Sequence, residues 1–245
     1  MKFFHHLLIA LFLFSANFFA QSDNEDYTLE EIIVTAQKTE KSLQDVPIAV
    51  SALSADDLAL RQAVRFTDLQ LNVPNLSYSE TNFGGSSVSI RGIGRLATGI
   101  SFDQSVTTHI NESPWGENTN VATMFDMDRV EVLRGPQGTL FGRGTTAGLV
   151  NLVTKRPSVV SGVEGYAGYT AGEYDLQVFE GAVNIPLDDN FALRAAYTQT
   201  ERDGFTENLY SPLGGTFDGR EHYVGRISLR YDSGKTVVDL SLIHI

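Results

Sequence analysis

The chain has no cysteine among its 245 residues, which excludes disulfides, thiolate zinc sites and cysteine nucleophiles together. Basic residues are scarce, 18 Lys and Arg against 30 Asp and Glu, for a net charge of −12. With no Lys/Arg-rich stripe, that balance excludes a general nucleic-acid surface, which needs a basic footprint. Tryptophan occurs once, as Trp115. Catalytic constellations are lacking too. The five histidines are scattered, and His109, His222 and His244 show no metal-ligand spacing. Asp56 and Asp57 sit at a helix start, where the helix dipole accounts for them. We therefore expect no enzyme activity, no metal site and no cofactor bound by the protein itself.

What is present begins with an export pattern. In MKFFHHLLIALFLFSANFFA, Lys2 precedes an apolar run from Leu7 to Phe14, and Ala20 stands before the polar QSDNEDY. This reads as a signal peptide over residues 1–20, and the run is shorter than the about 20 residues of a membrane-spanning helix. Gln21 to Tyr27 is acidic and aperiodic, a flexible stretch. Ile32, Ile33 and Val34, followed by Thr35 and Ala36, form a strand-prone island that is exposed and weakly ordered on this reading, or else the first strand of the next domain. Val46 to Ser51 reads as a strand. Ser54, with Asp57 three residues on, caps a short helix whose apolar positions are Leu58, Leu60 and Val64. Thr67 caps a second, ended by Asn72 and Pro74. In VSIRGIG, Val88 to Gly94, Arg91 lies in a strand between apolar neighbours and needs a partner or water.

The chain turns on RVEVLRGPQGTLFGRGTTAGLVNLVTKRP, Arg129 to Pro157. Two strand-like runs flank a loop carrying Gly135, Gly138, Gly142, Gly144 and Gly148, which permits positive φ and close backbone approach. Nucleotide binding is excluded: a P-loop needs Gly-Lys before Ser or Thr and a following helix, whereas GRGTTAG has Arg143 and leads into β-rich sequence. Beyond Pro157, short alternating segments are separated by Gly, Asp, Asn and Pro turns. Phe191, Leu193, Ala195 and Tyr197 oppose Ala192, Arg194, Ala196 and Thr198; Ile227, Leu229 and Tyr231 oppose Arg226, Ser228 and Arg230. A soluble sandwich alternates in the same way, but arginines and hydroxyls opposite an apolar face suit a wet lumen and a lipid-facing outside.

The wording of Arg129–Pro157 resembles the plug signature of TonB-dependent outer-membrane receptors, and VPIAVSALS, VPNLSYS and SIRGIG are similar to earlier parts of such plugs. The resemblance implies an α+β plug domain, a small mixed sheet with short helices, followed by antiparallel strands of an incomplete outer-membrane β-barrel. Its divisions are a signal peptide at 1–20, a flexible segment with the TonB box at 21–40, the plug at 41–157 and the first barrel strands at 158–245. Residues 158 to 245 hold four or five strands of about 9 to 11 residues, against about 22 in a closed plugged barrel, so we expect part of a longer receptor. The TonB box is Glu31, Ile32, Ile33, Val34, Thr35 and Ala36, which would add a strand to TonB.

On the same resemblance Arg91, Arg129, Glu131, Arg134, Gly135, Gly138 and Gly142 serve plug architecture and release. The implied function is active uptake across the outer membrane of a scarce ligand such as a ferric siderophore or similar iron chelate. The implied partners are TonB with its inner-membrane energising complex, that ligand, and outer-membrane lipid. One departure stands out: where plugs of the family often read YVDGVP, this chain reads THINESP, without the glycine of the turn. Arg95 and Trp115, in the polar connections after Gly94 and Pro114, are candidates for ligand contact at an outward apex. The alternatives are a secreted or periplasmic plug-like binding module and a nonfunctional fragment.

Overall fold

Among the described residues the two largest sheets have five strands each. The computed structural model describes residues 32–36, 38–80, 86–94, 104–115, 124–210 and 214–244. The expected signal peptide, the stretch before Ile32, Glu31 and Arg95 lie outside the described residues. The N-terminal segment contributes β1 (Ile33–Val34) and β2 (Lys41–Ser42), a two-stranded antiparallel pair. There follow β3 (Ala49–Ser54), β4 (Leu76–Glu80), β5 (Ser86–Ile90), β6 (Ile93–Gly94), β7 (Val106–Ile110), β8 (Ser113–Pro114), β9 (Met127–Arg134) and β10 (Gly148–Thr154). A mixed sheet runs in the order β3-β9-β10-β7-β8, while β4-β5-β6 form a small sheet of their own.

In the mixed sheet β10 is antiparallel to β9 and parallel to β7. Every residue of β10 is buried, as a central strand covered on both faces requires. One face, with Val130, Val132 and Val150, packs on a core containing Phe66, Leu69 and Ile90. The other face, with Leu133 and Leu149, packs on Val34, Ala36 and Val46. The short helix Ala55–Leu60 starts at Ser54, whose Oγ accepts from the Asp57 N–H while the Asp57 carboxylate accepts from the Ser54 N–H, the expected reciprocal cap. Only Leu58 of its expected apolar positions is buried. Leu60 and Val64 are exposed, because the helix ends at Leu60 and Gln62 takes a positive φ. The second helix, Leu69–Asn72, begins after a 3₁₀ turn at Phe66–Asp68, so Thr67 lies inside that turn and caps nothing.

The glycine-rich connection from β9 to β10 holds one helical turn, Gly138–Phe141. Of the glycines in this connection Gly148 has the tightest surroundings: with φ at +156°, a Cβ there would sit 2.3 Å from the Leu133 carbonyl oxygen and 2.6 Å from Ile90.

Beyond residue 163 the second sheet runs β11 (Glu164–Gly172), β12 (Leu176–Pro186), β13 (Phe191–Arg202), β16 (Arg220–Asp232) and β17 (Val237–His244), all antiparallel. The pair β14 (Thr206–Glu207) and β15 (Thr216–Phe217) extends the β13–β16 connection. Strands β12, β13 and β16 have 11, 12 and 13 residues, enough to cross the hydrocarbon core at a tilt. The expected faces hold: Ala192, Arg194, Ala196 and Thr198 are buried, as are Arg226 and Ser228, while Phe191, Tyr197 and Ile227 are exposed. The buried face packs on Phe125, just before β9. Among the described residues no helix is long and apolar enough to cross a membrane. The glycine environments give a paired prediction. Gly148→Ala should cost about 3 kcal/mol or more through overpacking against fixed backbone, whereas Gly138→Ala, with no atom within 4 Å, should be neutral or mildly stabilising; guanidinium unfolding curves of the two variants will show the contrast.

Candidate functional site

The segment Ile32–Ala36 is docked. Val34 and Ala36 are 0% exposed and Thr35 is 4% exposed, which corrects the expectation of an exposed, weakly ordered stretch. The physical reason is the apolar floor made by Leu133, Leu149 and Val46, which receives Val34 and Ala36, together with a carboxylate beside them. Glu131, itself 0% exposed, accepts from the Thr35 N–H at 2.8 Å and from the Thr35 hydroxyl at 3.1 Å. Arg129 Nε donates to the same carboxylate at 2.8 Å, and Asn151 Nδ2 donates to it at 3.4 Å. A buried carboxylate is tolerable only with such partners, and hydrogen bonds to a charged acceptor are the strong ones. Ile33 alone points outward, at 48% exposure.

A second buried carboxylate joins the two sheets. Asp126 lies just before β9 and faces two arginines of the long sheet. Arg194 Nε and Nη2 donate to its two oxygens, and Arg226 Nη2 donates to Oδ2 at 2.7 Å and to the Asp126 carbonyl at 2.9 Å. The Arg226 guanidinium also lies 4.9 Å from the Phe125 ring centre, within cation–π range. Asp126 takes this position with φ at +49°. The linker into β11 is anchored by Asn184, whose amide donates to the carbonyls of Ser158 and Gly162 and accepts from the Ser158 N–H.

The remaining expected residues are scattered. Arg91 is not a paired strand residue: it is exposed and occupies, with Gly92, the left-handed turn between β5 and β6. Arg134 ends β9 half-buried, its Nε without a hydrogen-bond partner among the described residues. Gly135 and Gly142 adopt φ of +127° and +86° at either side of the helical turn that Gly138 opens.

Trp115 is half-buried. It lines a cleft of about 400 Å³ with Asn111, Thr154, Arg156 and Asp239, and Arg156 faces both Asp239 at 3.9 Å and Glu40 at 3.8 Å. Trp115 thus shares its end of the molecule with the chain that leaves the docked segment. Nearby His109 is 2% exposed; its Nδ1–H donates to the Glu112 carbonyl at 3.0 Å and its Nε2 has no hydrogen-bond partner among the described residues. Burial lowers its pKa, Lys38 adds in the same direction, and the bond to the Glu112 carbonyl opposes them.

The family profile described as TonB-dependent Receptor Plug Domain matches residues 42–149, the span from β2 into β10. Residues 42–149 form a plug domain of the kind found in TonB-dependent receptors. The chain is 28% identical over 243 residues to the iron-regulated outer membrane virulence protein of Vibrio cholerae, covering 95% of this chain and 34% of that protein. It is 24% identical to the pesticin receptor of Yersinia enterocolitica, covering 86% of this chain and 31% of that protein. Its fold matches the ferric yersiniabactin uptake receptor FyuA from Yersinia pestis with a TM-score of 0.68 at 24% identity, over 79% of this chain and 30% of that one. The pyoverdine outer membrane receptor FpvA from Pseudomonas aeruginosa matches with a TM-score of 0.69 at 19% identity, over 85% of this chain and 29% of that one. The chain spans about a third of the length of the curated relatives it matches.

In the plug, Asp126 and Asn151 were not legible as site residues, although the inward arginines facing Asp126 were. The only sequence cue for Asp126 was arithmetic: buried Arg194 and Arg226 demand an anion that their own strands do not supply. Asp126→Asn should leave two desolvated guanidinium groups short of charge and cost about 3–5 kcal/mol, read as a lower guanidinium midpoint for plug unfolding. His109 sets a pH dependence. With its folded pKa below the ordinary 6.5, the unfolded chain takes up a proton that the folded plug refuses, so its contribution is complete above about pH 6.5 and is lost as pH falls below that value. His109→Gln should flatten this part of the stability profile between about pH 7.5 and about pH 5.5.

Proposed function

We propose that this plug serves TonB-dependent uptake of a scarce ligand across the outer membrane, with Glu31–Ala36 as the TonB box and an iron chelate of the siderophore class as the ligand. The observation that carries the reading is the docked segment. A short β-prone stretch is held on the plug by one carboxylate and a small apolar floor rather than by a long ladder, so it is ordered yet separable. Once free it offers main-chain donors and acceptors for strand addition to a partner sheet. The names of the relatives support the ligand class: an iron-regulated outer-membrane protein, and receptors for ferric yersiniabactin and pyoverdine.

Outer-membrane residence fits the second sheet. Its exposed face carries Phe179, Tyr197, Ile227 and Leu242, while Arg194, Arg226 and Thr198 are buried on the other, the polarity of a barrel wall. No observation favours a soluble plug-like module. Energy would arrive through TonB and its inner-membrane complex, pulling on the segment and remodelling the plug. In a receptor carrying this sequence and a closed barrel, Ile33→Pro removes a backbone donor from the added strand. Capture by the periplasmic domain of TonB and uptake of the ferric ligand should fall to background, with ligand affinity within about twofold of the parent. Normal uptake by this variant would refute the assignment.

A further inference from the structure

Across the mixed sheet, Glu131, Asn151 and His109 are neighbours in register on β9, β10 and β7, and all three are buried. Asn151 uses both ends of its amide. Its Nδ2 donates to Glu131 Oε2, the carboxylate that holds Thr35, and its Oδ1 accepts from the Glu112 N–H at 3.0 Å. Glu112 belongs to the turn between β7 and β8, the place where family plugs often have Asp-Gly. Here Asn111 and Glu112 take φ of +49° and +67°, the left-handed region that side-chain-bearing residues disfavour. The turn persists because partners hold it. Asn151 holds the Glu112 N–H, His109 donates to the Glu112 carbonyl, and the Asn111 amide exchanges hydrogen bonds with Thr154. Asn111 also lines the cleft between the plug and β17, so the turn borders the barrel wall.

We infer that Asn151 is a positioning residue coupling this strained turn to the latch on Val34–Ala36. While the turn stays left-handed, the Glu112 N–H fixes the amide with its NH2 aimed at Glu131. When the turn relaxes, Oδ1 loses its donor, the amide is free to rotate, Glu131 loses a donor, and the latch on Thr35 weakens. The coupling is reciprocal, as any linkage between two equilibria must be: undocking the segment also releases the turn. The plug's contact with the barrel wall near β17 thereby reaches the N-terminal segment through one buried amide. This rests on reading the segment as the part that engages TonB, but its test needs no TonB.

These 245 residues contain no cysteine, so an introduced thiol is the single labelling site within them. Ala36→Cys places a thiol at a fully buried position of the segment, and Ala63→Cys places one in the core on the opposite face of the sheet. In the complete receptor without TonB, Asn151→Leu and Glu112→Pro should each speed maleimide labelling of the thiol from Ala36→Cys about tenfold, a loss typical of one hydrogen bond to a charged group. The double variant should label no faster than the faster single variant. Glu112→Gly, which keeps the N–H, should label at the parent rate, as should the thiol from Ala63→Cys throughout. If Asn151→Leu does not fold, Asn151→Ser, too short to span both partners, carries the same expectation. The coupling is wrong if Glu112→Pro labels at the parent rate, if the two effects multiply in the double variant, or if the thiol from Ala63→Cys accelerates in step. Failure of Ile33→Pro to block TonB capture would instead overturn the functional reading and leave these rates as they are.

Discussion

A carboxylate cut off from water must be surrounded by donors, and in this plug that requirement organises the sheet around Glu131. Its neighbours are drawn from the segment, from its own strand and from the adjacent strand: Thr35, Arg129 and Asn151. Removing any one donor leaves charge in a low-dielectric site, where the penalty exceeds what the pair contributes when intact. The register between β9 and β10 therefore bears on more than apolar packing. A slip by one residue would turn Glu131 into the core that holds Phe66 and Leu69 and bring Val130 or Val132 against the segment.

The same constraint recurs at the junction of the two sheets, with the signs reversed. There, two cations of the long sheet converge on one anion of the plug. Apolar contact at this junction is modest, Phe125 against Ala182, Ala196 and Val224, so orientation is set by the fork geometry of two guanidinium groups. Buried charge of this kind is weak as a source of net stability and strong as a source of specificity, because a plug seated in another register would strand three charges.

Sequence alone carried the strands of the long sheet, their inward and outward faces, the reciprocal cap at Ser54 and Asp57, and the plug signature. These are local patterns, with periods of two residues or fixed offsets. What it did not carry depended on distant partners. Asp126 meets Arg194 and Arg226 across 68 and 100 residues, and nothing in FDMD distinguishes that aspartate from its neighbour. The docking of Val34–Ala36 depends on a floor to which Leu133 and Leu149, roughly a hundred positions away, contribute, and an acidic, aperiodic flank argued for exposure. Arg91 was misread because an apolar neighbour on either side looks like a strand, whereas Arg-Gly here makes the left-handed turn. The lone Trp115 gave composition without position.

The order of strands in the mixed sheet has a mechanical meaning. Tension applied at Ile32–Ala36 travels along the chain through β2 to β3, and β3 is an edge strand, bonded among the described residues to β9 alone. Strands β9 and β10, each flanked on both sides, come much later along the chain, and the linker beyond them is moored at Asn184. A load from the N-terminus thus meets the plug at its side-chain latch, then at a single peelable edge, and reaches the doubly bonded centre last.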